Sequence, residues 1–229
     1  MVLTLHYHPL SSYCWKVLIA LYENGTPFEA HVVNLGNPGE KAAFGALWPS
    51  GKIPLMVDDD RVVPETSIMI EHLEQHHPGA NSLLPPDREQ QLQARLWDRL
   101  YDLYVMEPMQ RFIAQQLRSE AERDPHAIAS AIAGLKSAYD LIETRRGDYL
   151  WAAGDCFSIA DCAAAPSLFY AAIVQPFPPE HVRLANYFER LMARPSVRRV
   201  IAGAQPFFRY FPLADAIPAR FLTDLTHAA

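Results

Sequence analysis

The 229 residues include only three cysteines, Cys14, Cys156 and Cys162, with no CxxC pair and no framework spacing among them. That pattern excludes a disulfide scaffold and fits free thiols in a reducing compartment, so a cytoplasmic location is expected. A basic stripe is also missing. The net charge is −6, and a nucleic-acid partner is not expected. No apolar run is long enough to span a bilayer, so no membrane partner is expected either. The opening MVLTLHYHP carries no basic region and no cleavage site, and a signal peptide is therefore not expected. Internal repeats and low-complexity tracts are absent. What is present is a chain half of whose residues are hydrophobic, enough for one large or two small domains around a real core.

The most informative stretch is the first. Leu3, Leu5 and Tyr7 alternate with Thr4 and His6, which predicts a β-strand that Pro9 stops. Ser11 and Ser12 follow, and then Cys14, Val17, Leu18 and Leu21 mark one face of a helix. Trp15, Ile19 and Tyr22 cover much of its other side, so the helix should be buried on both faces. Asn24-Gly25 ends it with a left-handed cap. Two serine hydroxyls thus stand at a helix N-terminus, where unpaired N–H groups and the helix dipole favour an anion. Ser12 could equally be a plain N-cap.

Residues 28–33 read as a second strand, Asn34 to Glu40 as a loop and Lys41 to Leu47 as a short helix. Pro54 to Asp58 and Arg61 to Val63 form a hairpin around the aspartates at 58 to 60, which lack the glycine and distal glutamate of a calcium loop. Pro64-Glu65-Thr66-Ser67 opens a helix that ends at His76-His77-Pro78. The order β-α-β-α-β-β-α predicts a thioredoxin-like sheet with helices on both faces, and Pro54 is a candidate cis peptide. Residues 79–88, rich in proline and glycine, read as a linker between a domain at 1–78 and an all-helical domain at 89–229. The fold class expected is therefore α/β plus all-α. In the second half, helices are expected at Gln90 to Arg118 with a kink at Pro108, at Pro125 to Arg146, and at Ser158 to Val174 as the central buried helix. Two shorter ones follow. Ser158 and Asp161 form a capping box, a folding signal without chemistry.

His72 and His76 stand one turn apart, which is ligand spacing, but the sequence fixes no acid or cysteine beside them. Surface histidines near a helix C-terminus are the better account, and no metal is expected.

With those motifs in hand, the chain resembles a soluble glutathione transferase over nearly its whole length. SSYCWKVLIAL is similar to the serine-type active-site motif of the zeta, delta and related bacterial classes. GKIPLMVDDDRVVPETSIMIEHLE resembles the family's glutathione-binding segment, SLLPPD its linker and FSIADCAAAP its capping box. The resemblance implies glutathione as co-substrate, a small hydrophobic electrophile and a homodimer. It implies Ser11 as the hydroxyl beside the glutathione sulfur, with Ser12 and Tyr7 as alternatives. It implies Ile53 for the cysteinyl backbone, Glu65 and Thr66 for the γ-glutamyl end, and Lys52 near the glycyl carboxylate. Trp48 departs from the asparagine many relatives hold there, and Tyr13 and Lys16 depart from zeta-type motifs. Cys14, three after Ser11, should be a packed core thiol.

Two aromatic stretches are candidates for the electrophile pocket: the helix after the linker, with Trp97, Tyr101 and Tyr104 and then Met106 and Phe112, and the tail Pro206 to Pro212, with Phe208 and Tyr210. Plain core packing is the alternative for both. A non-catalytic interaction module of the same fold and a glutathione-dependent isomerase or peroxidase are the competing functions.

Overall fold

The computed structural model describes residues 2–223. Strand β1 (Leu3–Tyr7) leads into α1 (Ser12–Asn24), β2 (Glu29–Val32) and α2 (Pro38–Leu47). The hairpin β3 (Leu55–Asp58) and β4 (Arg61–Val63) then precedes α3 (Thr66–His76). The sheet order is β2-β1-β3-β4, with β1 parallel to β2 across the α1 crossover and antiparallel to β3. This is the thioredoxin-like order expected.

The pleat sends alternate residues to different partners. Leu3, Leu5 and Met56 join the core that includes Val17 and Leu21 of α1 and Ile70 and Leu73 of α3. Leu55 points the other way and packs with Val33 and with Phe44 of α2 in a small separate cluster. All of β2 is exposed, as an edge strand. Helix α2 begins earlier than expected, at Pro38 inside the segment read as a loop. Asn37 Oδ1 accepts from the N–H groups of Gly39 and Glu40, and Pro38 occupies the first turn, where its missing N–H costs nothing.

The helical half consists of α4 (Arg88–Leu100), α5 (Glu107–Gln116), α6 (Pro125–Arg145), α7 (Ile159–Val174), α8 (Val182–Ala193) and α9 (Pro195–Ala204). The predicted kink at Pro108 takes the form of a π-helical stretch, Tyr101–Met106, between α4 and α5. Proline offers no N–H to the carbonyl of Tyr104, and the chain widens its turn instead, with the Glu107 N–H reaching Asp102 O. Helix α7 is buried from Ile159 to Ala171. Its capping box is present: Asp161 Oδ2 accepts from Ser158 N at 2.9 Å. Asp161 Oδ1 accepts from Ala152 N at 2.8 Å and Tyr187 Oη at 2.7 Å.

One hydrophobic core runs through both halves. Trp15 of α1 lies 4.9 Å from the Phe169 ring and 5.0 Å from that of Tyr170, both on α7. Tyr170 Oη donates to Leu10 O at 3.0 Å, and Arg194 holds Glu23 with two bonds at 2.8 and 2.6 Å. Helix α1 is thus wedged between sheet and helices, which is why apolar residues are buried on more than one of its sides. None of the helices is long and apolar enough to cross a membrane among the described residues.

Candidate active site

Where β1 ends and α1 begins, the chain turns through Pro9 and Leu10. Ser11, and not Ser12, is the N-cap of α1: its backbone is extended, and its Oγ accepts from Cys14 N at 3.3 Å. Ser12 is buried inside the first turn, where its Oγ accepts from Gln110 Nε2 at 2.8 Å. The capping role read for Ser12 therefore belongs to Ser11. The reason is steric, because the side chain of the first helical residue turns back into the packed interface with α5.

Ser11 opens onto a cavity of about 470 Å³ between the sheet and the helices. Lys52, Ile53, Pro54, Glu65 and Thr66 line the same cavity, so all the residues assigned to glutathione converge there. The Ile53-Pro54 peptide bond is cis, as expected. Glu65 caps α3 with φ +66°, a left-handed conformation that a residue with a Cβ adopts at a cost of about 1–3 kcal/mol. Thr66, the first residue of α3, is buried. Two helix N-termini, those of α1 and α3, therefore face one cavity and add their unpaired N–H groups to it.

Neither Ser12 nor Tyr7 lines this cavity. Burial raises the Tyr7 phenol above its ordinary range. Cys14 is fully buried, and burial pushes its thiol up to about 12, which makes it the packed core thiol expected.

The helical half contributes residues that sequence reasoning missed: Arg99, Asp102 and Gln110 line the cavity opposite Ser11. Behind them lies a buried ionic cluster. Lys16 is wholly inaccessible, and its Nζ contacts Asp98 Oδ1 at 2.6 Å, Asp102 Oδ2 at 2.8 Å and Ser67 Oγ at 2.9 Å. Arg99 reaches Asp102 Oδ2 at 3.1 Å, so two cations balance two carboxylates. Burial raises the Asp102 carboxyl, against the pull of Lys16, and its Oδ1 is buried with no hydrogen-bond partner. The signal was present as a charged i, i+4 pair, Asp98 and Asp102, inside an aromatic helix, with a lysine in an otherwise apolar α1.

The aromatic residues expected at the electrophile pocket lie apart from this cavity. Tyr104, Phe208 and Tyr210 do not line the cavity. Phe208 is buried and stacks on Phe169 at 6.1 Å, while Tyr104 and Tyr210 are 54% and 63% exposed. The aromatic residues that do line the cavity are Tyr13 and Trp48, and burial pushes the Tyr13 phenol up to about 12.

Comparison with known proteins gives the same picture. Residues 5–81 match the family model "Glutathione S-transferase, N-terminal domain", and residues 125–190 match "Glutathione S-transferase, C-terminal domain". The chain is 30% identical over 164 residues to a "Probable maleylacetoacetate isomerase" of Caenorhabditis elegans, covering 70% of this chain and 75% of that one. It is 25% identical over 214 residues to a glutathione S-transferase of Silene vulgaris, covering 88% of this chain and 98% of that one. Among solved structures, a glutathione S-transferase of Methylobacterium radiotolerans in complex with glutathione sulfonate superposes with a TM-score of 0.74 at 28% identity, covering 95% of each chain. A thioredoxin-like sheet joined to an all-helical half, a cavity between them at the start of α1, and these matches together make the chain a member of the glutathione S-transferase family.

Proposed function

We propose that this chain is a glutathione transferase of the serine type. It binds glutathione in the cavity at the start of α1 and stabilises the thiolate through the Ser11 hydroxyl, for attack on a small hydrophobic electrophile. One arrangement carries the proposal. Of the three candidate hydroxyls, only that of Ser11 faces the cavity, and its oxygen already accepts the Cys14 N–H. The Ser11 proton is left to donate outward.

A free thiol has a pKa of about 8.5 and is a few per cent ionised at pH 7. Serine cannot remove its proton. A donated hydrogen bond and the N–H groups of the first turn of α1 stabilise the thiolate over the thiol, and so lower its pKa. Around the rest of the ligand, Ile53 offers its backbone to the cysteinyl unit and Lys52 its ammonium to the glycyl carboxylate. Glu65 suits the γ-glutamyl ammonium. The Thr66 hydroxyl and the start of α3 suit the neighbouring carboxylate. Tyr13 and Trp48 then flank the space left for the electrophile. Conjugation and thiol-assisted isomerisation both begin from this thiolate, and the likeness to a protein named as a probable maleylacetoacetate isomerase keeps the second within the proposal.

A twofold dimer belongs to the same proposal. Leu92, Leu96 and Leu103 recur along the helical segment after the linker and stand 58%, 48% and 50% exposed. An apolar row of that kind is costly in a monomer and suits a self-complementary interface. Light scattering at micromolar protein should give about twice 25.8 kDa; the monomer mass would remove the dimer.

The activity is tested by retention on glutathione resin together with turnover of chlorodinitrobenzene. Wild-type protein should be retained and turn the substrate over. Ser11→Ala should stay retained and lose turnover. Failure of the wild type in both assays would overturn the proposal.

A further inference from the structure

At the end of the sheet away from the thiol cavity lies a second group of side chains. Asp58 is the last residue of β3, paired with Leu3 at the start of β1, whereas Ser11 lies beyond the other end of β1. His72 sits in the closing turns of α3, and His77 is its C-cap. Nε2 of His72 and Nε2 of His77 each stand 2.8 Å from the same oxygen, Asp58 Oδ2. The three ligand atoms all lie within 4.8 Å of one another. The side chains are only 7%, 17% and 12% exposed, in the order His72, His77, Asp58. The second carboxylate oxygen, Oδ1, is buried with no hydrogen-bond partner.

This arrangement is unusual for a purely structural contact. Two imidazoles converge on one oxygen while the other oxygen of the same carboxylate is buried unused, at the expense of its hydration. A cation between the three groups would use all of them. Two imidazole nitrogens and one carboxylate oxygen suit a divalent transition-metal ion of the zinc, nickel or copper kind, whereas magnesium and calcium take oxygen ligands. Three protein ligands leave one position for water. His76 does not belong to the set: its ring lies 4.3 Å from that of His72, and its Nε2 faces Arg61 Nη1 at 3.3 Å.

We propose that Asp58, His72 and His77 form a binding site for one divalent transition-metal ion that ties the end of β3 to the end of α3. In the bound form each imidazole is neutral with its proton on Nδ1, so that both Nε2 lone pairs face the ion and no electron changes hands. Metal–ligand bonds of about 2.0–2.1 Å at tetrahedral angles set ligand atoms about 3.3 Å apart. The two 2.8 Å contacts to Asp58 Oδ2 must therefore open by about half an ångström and the widest pair, within 4.8 Å, close by up to about 1.5 Å, which side-chain torsions at the C-cap of α3 can supply. Sequence spacing alone leads to no metal here, because it fixes no acid beside the histidines. The fold supplies one, since β3 delivers Asp58 to the end of α3.

The test uses the untagged full-length chain, stripped with a chelator and titrated calorimetrically with zinc chloride. One ion per chain should bind, with a dissociation constant on the order of a micromolar or tighter. Asp58→Asn and His77→Gln should each weaken binding by about 100-fold, the loss expected when a ligand is removed, while His76→Gln should leave it unchanged. Glutathione turnover should be the same with and without zinc. No saturable binding by the wild type, or binding that survives both substitutions, would overturn the site. Should a variant fail to melt cooperatively, the wild type loaded with cobalt decides instead. Intense visible bands of four-coordinate cobalt are expected, and the pale spectrum of hydrated cobalt would overturn the site.

Discussion

Two helices of this protein begin on a serine, and they use it in opposite ways. Ser158 at the head of α7 is closed in: Asp161 accepts from its backbone and its hydroxyl at 2.9 and 3.1 Å, and takes Ala152 N and Tyr187 Oη as well. The Ser158 N–H and hydroxyl and the Ile159 N–H all have partners inside the protein. Ser11 at the head of α1 has one weak partner, Cys14 N at 3.3 Å, and opens onto the cavity. The same capping chemistry yields a structural joint where an acid fills the N-terminus, and an anion site where nothing does. The missing acid in the first turn of α1 is the difference.

The comparison can be broken first at its closed end. Asp161→Ala would leave two buried backbone N–H groups and the Tyr187 hydroxyl without an acceptor, and should cost about 3–5 kcal/mol in a urea melt. A loss under about 1 kcal/mol would mean that water replaces the carboxylate and the joint is not closed. The same group sets a pH dependence. Burial pushes the Asp161 carboxyl up to about 6, against the four donors that hold it down. An unfolded aspartate releases its proton near 3.9. Between those values the folded state holds the extra proton, so stability attributable to this residue falls as pH rises, by about 3 kcal/mol in all, and is level above pH 6. Asp161→Asn should flatten that slope; an unchanged slope would assign it to other groups.

At the open end, Ser11→Ala should lower turnover about 100-fold and move the pH–rate profile to higher pH, because the bound thiol loses a donor. Its stability cost should stay at about 0.5–2 kcal/mol, the value of a lost cap. Normal kinetics in this variant, with Ser12→Ala or Tyr7→Phe disabled, would show that another hydroxyl serves the sulfur. A smaller effect is expected for Glu65→Gln, which keeps size and removes charge. Glutathione binding should weaken about 10-fold by calorimetry, a modest loss because Glu65 is exposed. Wild-type affinity would remove Glu65 from the site. The smallest effects belong to Tyr104→Ala and Tyr210→Ala, both on the surface, which should change stability by less than about 0.5 kcal/mol and leave both Michaelis constants unchanged. A shift in the constant for the electrophile would return those rings to the pocket.

Local chemistry makes much of this protein legible in its sequence. The strand–turn–helix around Ser11, the hairpin, the turn into α3 and the capping box of α7 each rest on neighbours within a few residues, as turn, cap and periodicity rules do. Ser11, Lys52, Ile53, Glu65 and Thr66 meet at one cavity because each lies on a loop or helix start at the same end of the sheet. The helical half is less legible. Helical spacing puts Trp97, Tyr101 and Tyr104 on one stripe, yet the π-helical turn over Tyr101–Met106 winds wider than an α-helix. Burial there recurs every fourth residue, at Trp97, Tyr101, Val105, Met109 and Ile113, and Tyr104 rotates to the surface.

Sequence alone, then, sufficed for the element order, for which half carries the sheet, and for the hydroxyl and carboxylate set on the sheet side of the cavity. Only the tertiary structure brought Asp102, Arg99 and Gln110 to face Ser11, buried Lys16 between two carboxylates, and set Asp58 beside His72 and His77. Those groups are separated by 14 to 99 residues along the chain. No periodicity or cap reaches that far; packing of α1 and α4 against α7, and pairing of β3 with β1, chooses which distant polar groups share a dry interior and must therefore satisfy one another.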